Sequence, residues 1–314
     1  MKFALSAEQR QFAASLHELL AGTSGTVRAW AEGKHEPGRK LLRAIADLGV
    51  PALLVPAEYG GLQADVADMV VAFEVLGFHV VPGPIVESAV VAPAALGGSR
   101  KWLPALASGE ALVTVLNPLG LDADIADLVL DLRDGQVAAV RVESLEPVRS
   151  IDPARRLFTV DGERVPLGPA GRAFDLGVLA VAAQLLGAGQ WLLDEATSYA
   201  RQRNQYGRAI GGFQAVKHLL ADVATQLELA RPLVHGAAVT AQDGGGTLAR
   251  DVSAAKIKAG EAAYLAARTA LQVHGAIGYT AEHDLGLRLT KVRALLGAWG
   301  DAAFHRARVL ESLS

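Results

Sequence analysis

"RQRNQYGRAIGGFQAVKHLLADV", residues 201–223, decides how the chain is read. Arg201, Arg203, Arg208 and Lys217 gather around a break at Gly207, with Tyr206 and Phe213 on either side of it. Basic side chains at a helix C-terminus favour its negative end, and Gly207 would then be the C′ residue. The same arginine fork also matches the oxygens of a diphosphate, and Tyr206 would offer a ring face beside it. A second stretch, "ALQVHGAIGYTAEHDL" at 270–285, repeats the mixture of polar groups and glycines. Gly275 and Gly278 either end a helix or let backbone N–H groups approach an anion with no Cβ in the way. "GRAIGG" at 207–212 follows no strand and is no dinucleotide fingerprint. His218 and His274 lack a second ligand at i+4, so no metal site is expected.

The 314 residues allow two or three domains. About half are apolar (51%) and the net charge is −3, which argues against disorder and against a nucleic-acid partner. With no cysteine there is no disulfide, thiolate nucleophile or Cys-ligated metal. "MKFALSAEQRQFAASLHELL" carries Phe12, Leu16, Leu19 and Leu20 at helical spacing, with Glu8, Arg10 and Glu18 between them. That is an amphipathic helix rather than a signal peptide. No transmembrane span is expected, and a cytoplasmic location is.

Helical periodicity predicts elements near 6–22, 37–48, 63–80 and 84–96, with Ser6 and Gln9 as a capping box. Between 110 and 168, "ALVTVLNP", "DLVLDL", "QVAAVRV" and "RLFTVDG" predict a small antiparallel β region with a turn at Arg133–Gln136. Four alanine-rich stretches, 172–203, 211–242, 247–274 and 284–311, predict an antiparallel four-helix bundle. The expected organisation is mainly α: an N-terminal helical domain (1–109), a reduced β domain (110–168) and the bundle (169–314).

Taken together, Arg203, Gln205, Tyr206, Gly207, Ile210, Phe213, Gln214, His218, Leu220, Ala221 and Asp222, followed by Gln272, His274, Gly275, Gly278, Tyr279, Thr280 and Glu282, resemble the acyl-CoA dehydrogenase family. "LGVPALLVPAEYGGLQAD" resembles the segment preceding that family's acyl pocket. The resemblance implies FAD shared across a subunit interface. A carboxylate takes the α-proton of an acyl-CoA, and the β-hydrogen leaves as hydride to the flavin. Arg203 would bind the pyrophosphate beside Gln205 and Tyr206. Gln272, Gly275 and the backbone at Ala276 would hold a partner chain's adenosine diphosphate portion.

Three departures qualify this. "TVLNPLGLDADIAD" stands where the family's flavin-ring signature belongs. In "AWGDAAFHR", Trp299 and Asp301 stand where the family has its catalytic Glu and a Thr, and an indole accepts no proton. The alternative Glu position, at the start of the first bundle helix, holds Gly177, with Asp175 two residues earlier as a helix cap or a weak base candidate. The pattern resembles the short, base-less subunit of actinobacterial heteromeric acyl-CoA dehydrogenases, which act in steroid degradation. It implies a heterotetramer with a larger subunit. Two alternatives stand beside it: a self-sufficient homo-oligomeric enzyme with Asp175 or Asp301 as a relocated base, and a non-redox protein that keeps the fold for binding or interaction.

Overall fold

The computed structural model describes residues 4–280 and 283–313; Glu282 lies outside them. Helices α1 (Ala7–Leu20), α2 (Ser24–Ala31), α3 (Glu36–Asp47) and α4 (Val66–Phe78) form the N-terminal part. Ser6 and Gln9 make the expected reciprocal capping bonds at α1. Helix α2 was not anticipated. It is short, and its buried Val27 and Trp30 are too few to register as a period.

Next comes a π-helical turn, Glu87–Val91, running into α5 (Ala92–Ala95), then α6 (Trp102–Ala107). Pro93 explains the widened turn: it has no N–H, and its ring crowds the carbonyl four residues back. Ser88 pins the turn by bonding both backbone groups of Val113 (2.9 and 3.0 Å).

Strands β1 (Val113–Leu116), β2 (Gly120–Leu121), β3 (Leu128–Arg133), β4 (Gln136–Val148) and β5 (Leu157–Pro169) pair in the order β1-β3-β4-β5-β2. The sheet is mixed, not antiparallel, because β1 runs parallel to β3. Hydrogen-bonding direction leaves no mark on composition, so the sequence could not show it. Thr114 Oγ1 donates to the Leu121 carbonyl at 2.7 Å, drawing β1 toward β2. The β3–β4 turn has positive φ at both Asp134 (50°) and Gly135 (70°), as a two-residue hairpin requires. Strand β5 runs through Pro166 and Gly168 to Pro169, the end of the expected β region to within a residue.

The bundle comprises α7 (Ala173–Gln202), α8 (Gln214–Asp243), α9 (Leu248–His274), α10 (Leu285–Gly297) and α11 (Ala302–Glu311). Its fourth stretch is two helices rather than one. The break falls at Trp299, whose φ of 58° is left-handed, and at Gly300 (φ 97°). Helix α7 is apolar enough to cross a membrane by length and composition, but 83% of its most apolar window is buried inside the fold. It is the core helix. Against it, α4 packs backbone to backbone: a Cβ on Gly187 would stand 1.7 Å from the Glu74 carbonyl oxygen.

Candidate functional site

The two motifs meet at one end of the bundle. Arg203 is the C-cap residue of α7, and β6 (Asn204–Gln205) and β7 (Arg208–Ala209) form a small hairpin. Gly207 therefore lies in a hairpin turn with Tyr206 (φ 79° and 52°), not at a helix C′ position. The bond from Ile210 N–H to the Arg203 carbonyl, 2.8 Å, closes the hairpin. Arg203, Gln205 and Tyr206 are exposed, Tyr206 by 93%. The Arg203 side chain makes no hydrogen bond or ion pair among the described residues. Arg208 instead lies over the Phe213 ring at 4.1 Å.

Beside the hairpin, α9 ends at His274, whose ring stacks on Tyr199 of α7 with centroids 4.3 Å apart. Gln272, Gly275 and Ala276 are exposed. Gly275 adopts φ 62° and ψ −137°, a glycine conformation, and an added Cβ would meet nothing within 4 Å. Backbone here is open to a ligand.

Below this surface, Glu195, His274 and His283 converge, which sequence spacing could not reveal. The Leu285 N–H donates to His283 Nδ1 (3.0 Å), which is therefore an acceptor, while His283 Nε2 lies 3.3 Å from Glu195 Oε1. His274 donates through Nδ1 to the Ala270 carbonyl (2.8 Å), leaving an Nε2 with no hydrogen-bond partner among the described residues, 3.9 Å from the same carboxylate. Burial lowers the His274 pKa. A metal-ligating histidine donates its second N–H outward; His283 Nδ1 accepts instead. The three groups gather beside the turn carrying Gly275, with His274 held by Ala270 and by the Tyr199 ring. His218 is exposed on α8 and takes no part.

About 24 Å along α9, at 1.5 Å per residue, lies a second feature. A cleft of about 910 Å³ opens between the sheet, α9 and the α10–α11 break. Trp299 lines it, and Gly177, far away in sequence, lies behind the indole. A Cβ on Gly177 would stand 2.9 Å from the indole, so the missing side chain makes room for the ring. Trp299 is buried, its carbonyl lies 3.0 Å from His305 Nε2, and Phe174 packs on its ring at 5.7 Å.

The two aspartates near this point are committed elsewhere. Asp175 is not the N-cap of α7, which is Arg172; it accepts from Arg308 at 2.7 Å. Asp301 caps α11, accepting from Phe304 N–H at 2.9 Å. The carboxyl that does line the cleft was not foreseen. Glu87, 4% exposed, accepts from Trp299 Nε1–H at 3.3 Å, and its Oε2 has no partner among the described residues. Burial raises its pKa, against the opposing charge of Arg155. Its only sequence signal is one acid within "GPIVESAVVAPAAL", all else there being apolar, small or proline. Lys256 faces the same cleft with its ammonium bonded to the Leu295, Leu296 and Gly300 carbonyls; burial lowers its pKa to about 8.

Residues 6–110 match the acyl-CoA dehydrogenase N-terminal domain, and residues 169–314 match the acyl-CoA dehydrogenase C-terminal domain. The acyl-CoA dehydrogenase IpdE2 of Mycobacterium tuberculosis is 33% identical over 285 residues, covering 88% of this chain and 87% of that protein. The chain belongs to the acyl-CoA dehydrogenase family. Solved structures agree on the fold. The ChsE4-ChsE5 complex from Mycobacterium tuberculosis superposes with a TM-score of 0.87 at 22% identity, covering 100% of this chain and 99% of that one. A variant of the Tcur3481-Tcur3483 steroid ACAD reaches 0.89 at 23% identity, covering 98% and 97%. In the stretch at 114–127, two buried side chains are engaged within the fold. Thr114 bonds Leu121, and buried Asp122 accepts from Trp30 Nε1–H at 3.0 Å.

Proposed function

We propose that this chain is a subunit of a FAD-dependent acyl-CoA dehydrogenase that completes the flavin site of a larger, catalytic partner. The observation that carries the reading is the convergence of Gly177 and Trp299. Both family positions for a base aim at one point, and an indole fills it. The opposite end of the bundle meanwhile presents Arg203, Gln205, Tyr206, Gln272, Gly275 and Ala276 to the outside.

The residues at that end fit an adenosine diphosphate. Arg203 supplies an unpaired guanidinium for the diphosphate, where a charge-assisted fork contributes most. Gln205 and Tyr206 border it. Gln272 and the backbone at Gly275 and Ala276 approach the nucleotide where no Cβ intervenes. Bound FAD supplies the hydride acceptor for α,β-dehydrogenation of an acyl thioester. The fold likeness to ChsE4-ChsE5 and Tcur3481-Tcur3483, both named as pairs, supports a two-component, heterotetrameric assembly acting in steroid or lipid breakdown.

Co-expression with a longer homologue that carries a glutamate base tests the proposal. The co-purified pair is expected to be yellow and active, and Arg203→Ala to strip its flavin. A single chain that purifies yellow and oxidises an acyl-CoA would overturn it. The relocated-base alternative is disfavoured by the pairing of Asp175 with Arg308 and the capping role of Asp301.

A further inference from the structure

At the nucleotide end of the bundle, two acceptor atoms face each other. His274 directs its Nδ1 proton to the Ala270 carbonyl at 2.8 Å, so its Nε2 holds a bare lone pair. That atom lies 3.9 Å from Glu195 Oε1, on a side chain with 0% of its surface exposed, and meets no donor among the described residues. A carboxylate oxygen and an imidazole lone pair repel when so placed, the more so away from water. One proton added at Nε2 turns that repulsion into a charge-assisted hydrogen bond. His274 is also the last residue of α9, where the helix dipole favours a cation, and Gly275 follows it directly.

Each element packed around the ring bears on that proton. On α7, Glu195 favours it, and Tyr199 covers the ring face at 4.3 Å. Before α10, His283 reaches the same carboxylate through Nε2, its ring 4.8 Å from that of His274. Arg288 of α10 feels the Glu195 charge too, but it lies against Trp191 and beside Asp284, which also holds Arg28. Burial is the largest influence and opposes a charge on His274; His283 opposes it as well, while the Ala270 carbonyl and Glu195 favour it. The ring is therefore neutral at neutral pH, and one further negative charge nearby tips the balance.

We propose that His274 is a positioning residue that takes up a proton at Nε2, shared with Glu195, when a diphosphate binds at the Gly275 turn. On the nucleotide reading of that turn, on which this rests, binding and protonation support one another. The anion draws the proton onto His274, and the new cation beneath Gly275 and Ala276 attracts the anion. The coupling is reciprocal and about tenfold in size. Since bound diphosphate makes His274 easier to charge, affinity is highest in mild acid and falls as pH rises through the imidazole range.

Calorimetry on the full chain, in the assembly in which it purifies and freed of flavin, uses ADP-ribose, whose diphosphate does not titrate near neutrality. Heats in two buffers of unlike ionisation enthalpy give the protons taken up on binding. About half a proton is expected at about pH 6.5, with affinity about tenfold weaker at about pH 8.5 than at about pH 5.5. His274→Asn keeps a donor for the Ala270 carbonyl yet cannot charge, so uptake falls to near zero and affinity no longer varies with pH. Glu195→Gln removes the charge that shares the proton and lowers uptake, which keeps the test open if His274→Asn does not fold. His283→Gln leaves uptake in place; its loss there would move the proton to His283 and overturn the proposal. Binding without uptake, or uptake that survives His274→Asn or, where that variant does not fold, Glu195→Gln, overturns the proposal and leaves the nucleotide reading standing. If ADP-ribose binds at no pH, the nucleotide reading falls together with it.

Discussion

Replacing Gly177 by Ala separates two opposing effects that the structure allows to be sized. In a helix interior, Gly→Ala stabilises by about 1 kcal/mol through backbone propensity alone. At Gly177 the new Cβ meets two indole carbons at 2.9 and 3.0 Å and Val91 Cγ2 at 3.0 Å. The indole is rigid and buried against Phe174, so it gives way only by disturbing its neighbours; such overpacking costs about 1–3 kcal/mol. The net expectation is neutral to about 2 kcal/mol destabilising. Gly236, inside α8, is the internal control, since a Cβ there meets nothing within 4 Å. Gly236→Ala is expected to stabilise by up to about 1 kcal/mol. Urea unfolding of both variants gives the clash as the difference between them, about 1–3 kcal/mol. If both substitutions stabilise equally, Trp299 does not fill the space at Gly177, and the account of the missing base is wrong.

Arg203→Ala should lower flavin affinity of the co-purified pair by about ten- to hundredfold while leaving stability within about 0.5 kcal/mol, read by flavin release and thermal melting. Asp175→Asn should cost about 1.5–3 kcal/mol through the weakened Arg308 contact yet leave dehydrogenation unchanged; a collapse in rate would restore Asp175 as a base. Asp301→Ala should cost about 0.5–2 kcal/mol, the loss of an N-cap, again with no change in rate. For Asp122, burial outweighs the Trp30 hydrogen bond and the charge of Arg156, raising the pKa from 3.8 to about 7. The folded state thus holds the extra proton, so its contribution to stability is full below pH 4 and lost as pH rises through about 7. Asp122→Asn, tolerated at φ 51°, should flatten unfolding free energy between those limits; an unchanged pH profile would contradict the assignment.

The helices were legible because burial writes a 3.6-residue period into α1, α3, α8 and α9, because α4 and α7 are long apolar runs, and because Ser6 and Gln9 signal a start. The parallel pairing of β1 with β3 was not, since strand direction changes no residue type. The break at Trp299 was also hidden: bulky residues rarely take left-handed backbone, and only Gly300 hinted at it. Among site residues, the surface ones were readable because exposed polar groups near glycines have few structural reasons to be there. Glu87 was not, because its significance comes from Trp299, 212 positions away. The cluster of Glu195, His274 and His283 was invisible for the same reason: its members come from α7, α9 and the approach to α10.

The mutual fit of Gly177 and Trp299 makes each position a constraint on the other. A glutamate at 177 collides with the indole while tryptophan remains. A glutamate at 299 empties the indole's space and sets a second carboxyl beside Glu87. Either single substitution therefore disturbs the packing of the other position, so the two can change only together.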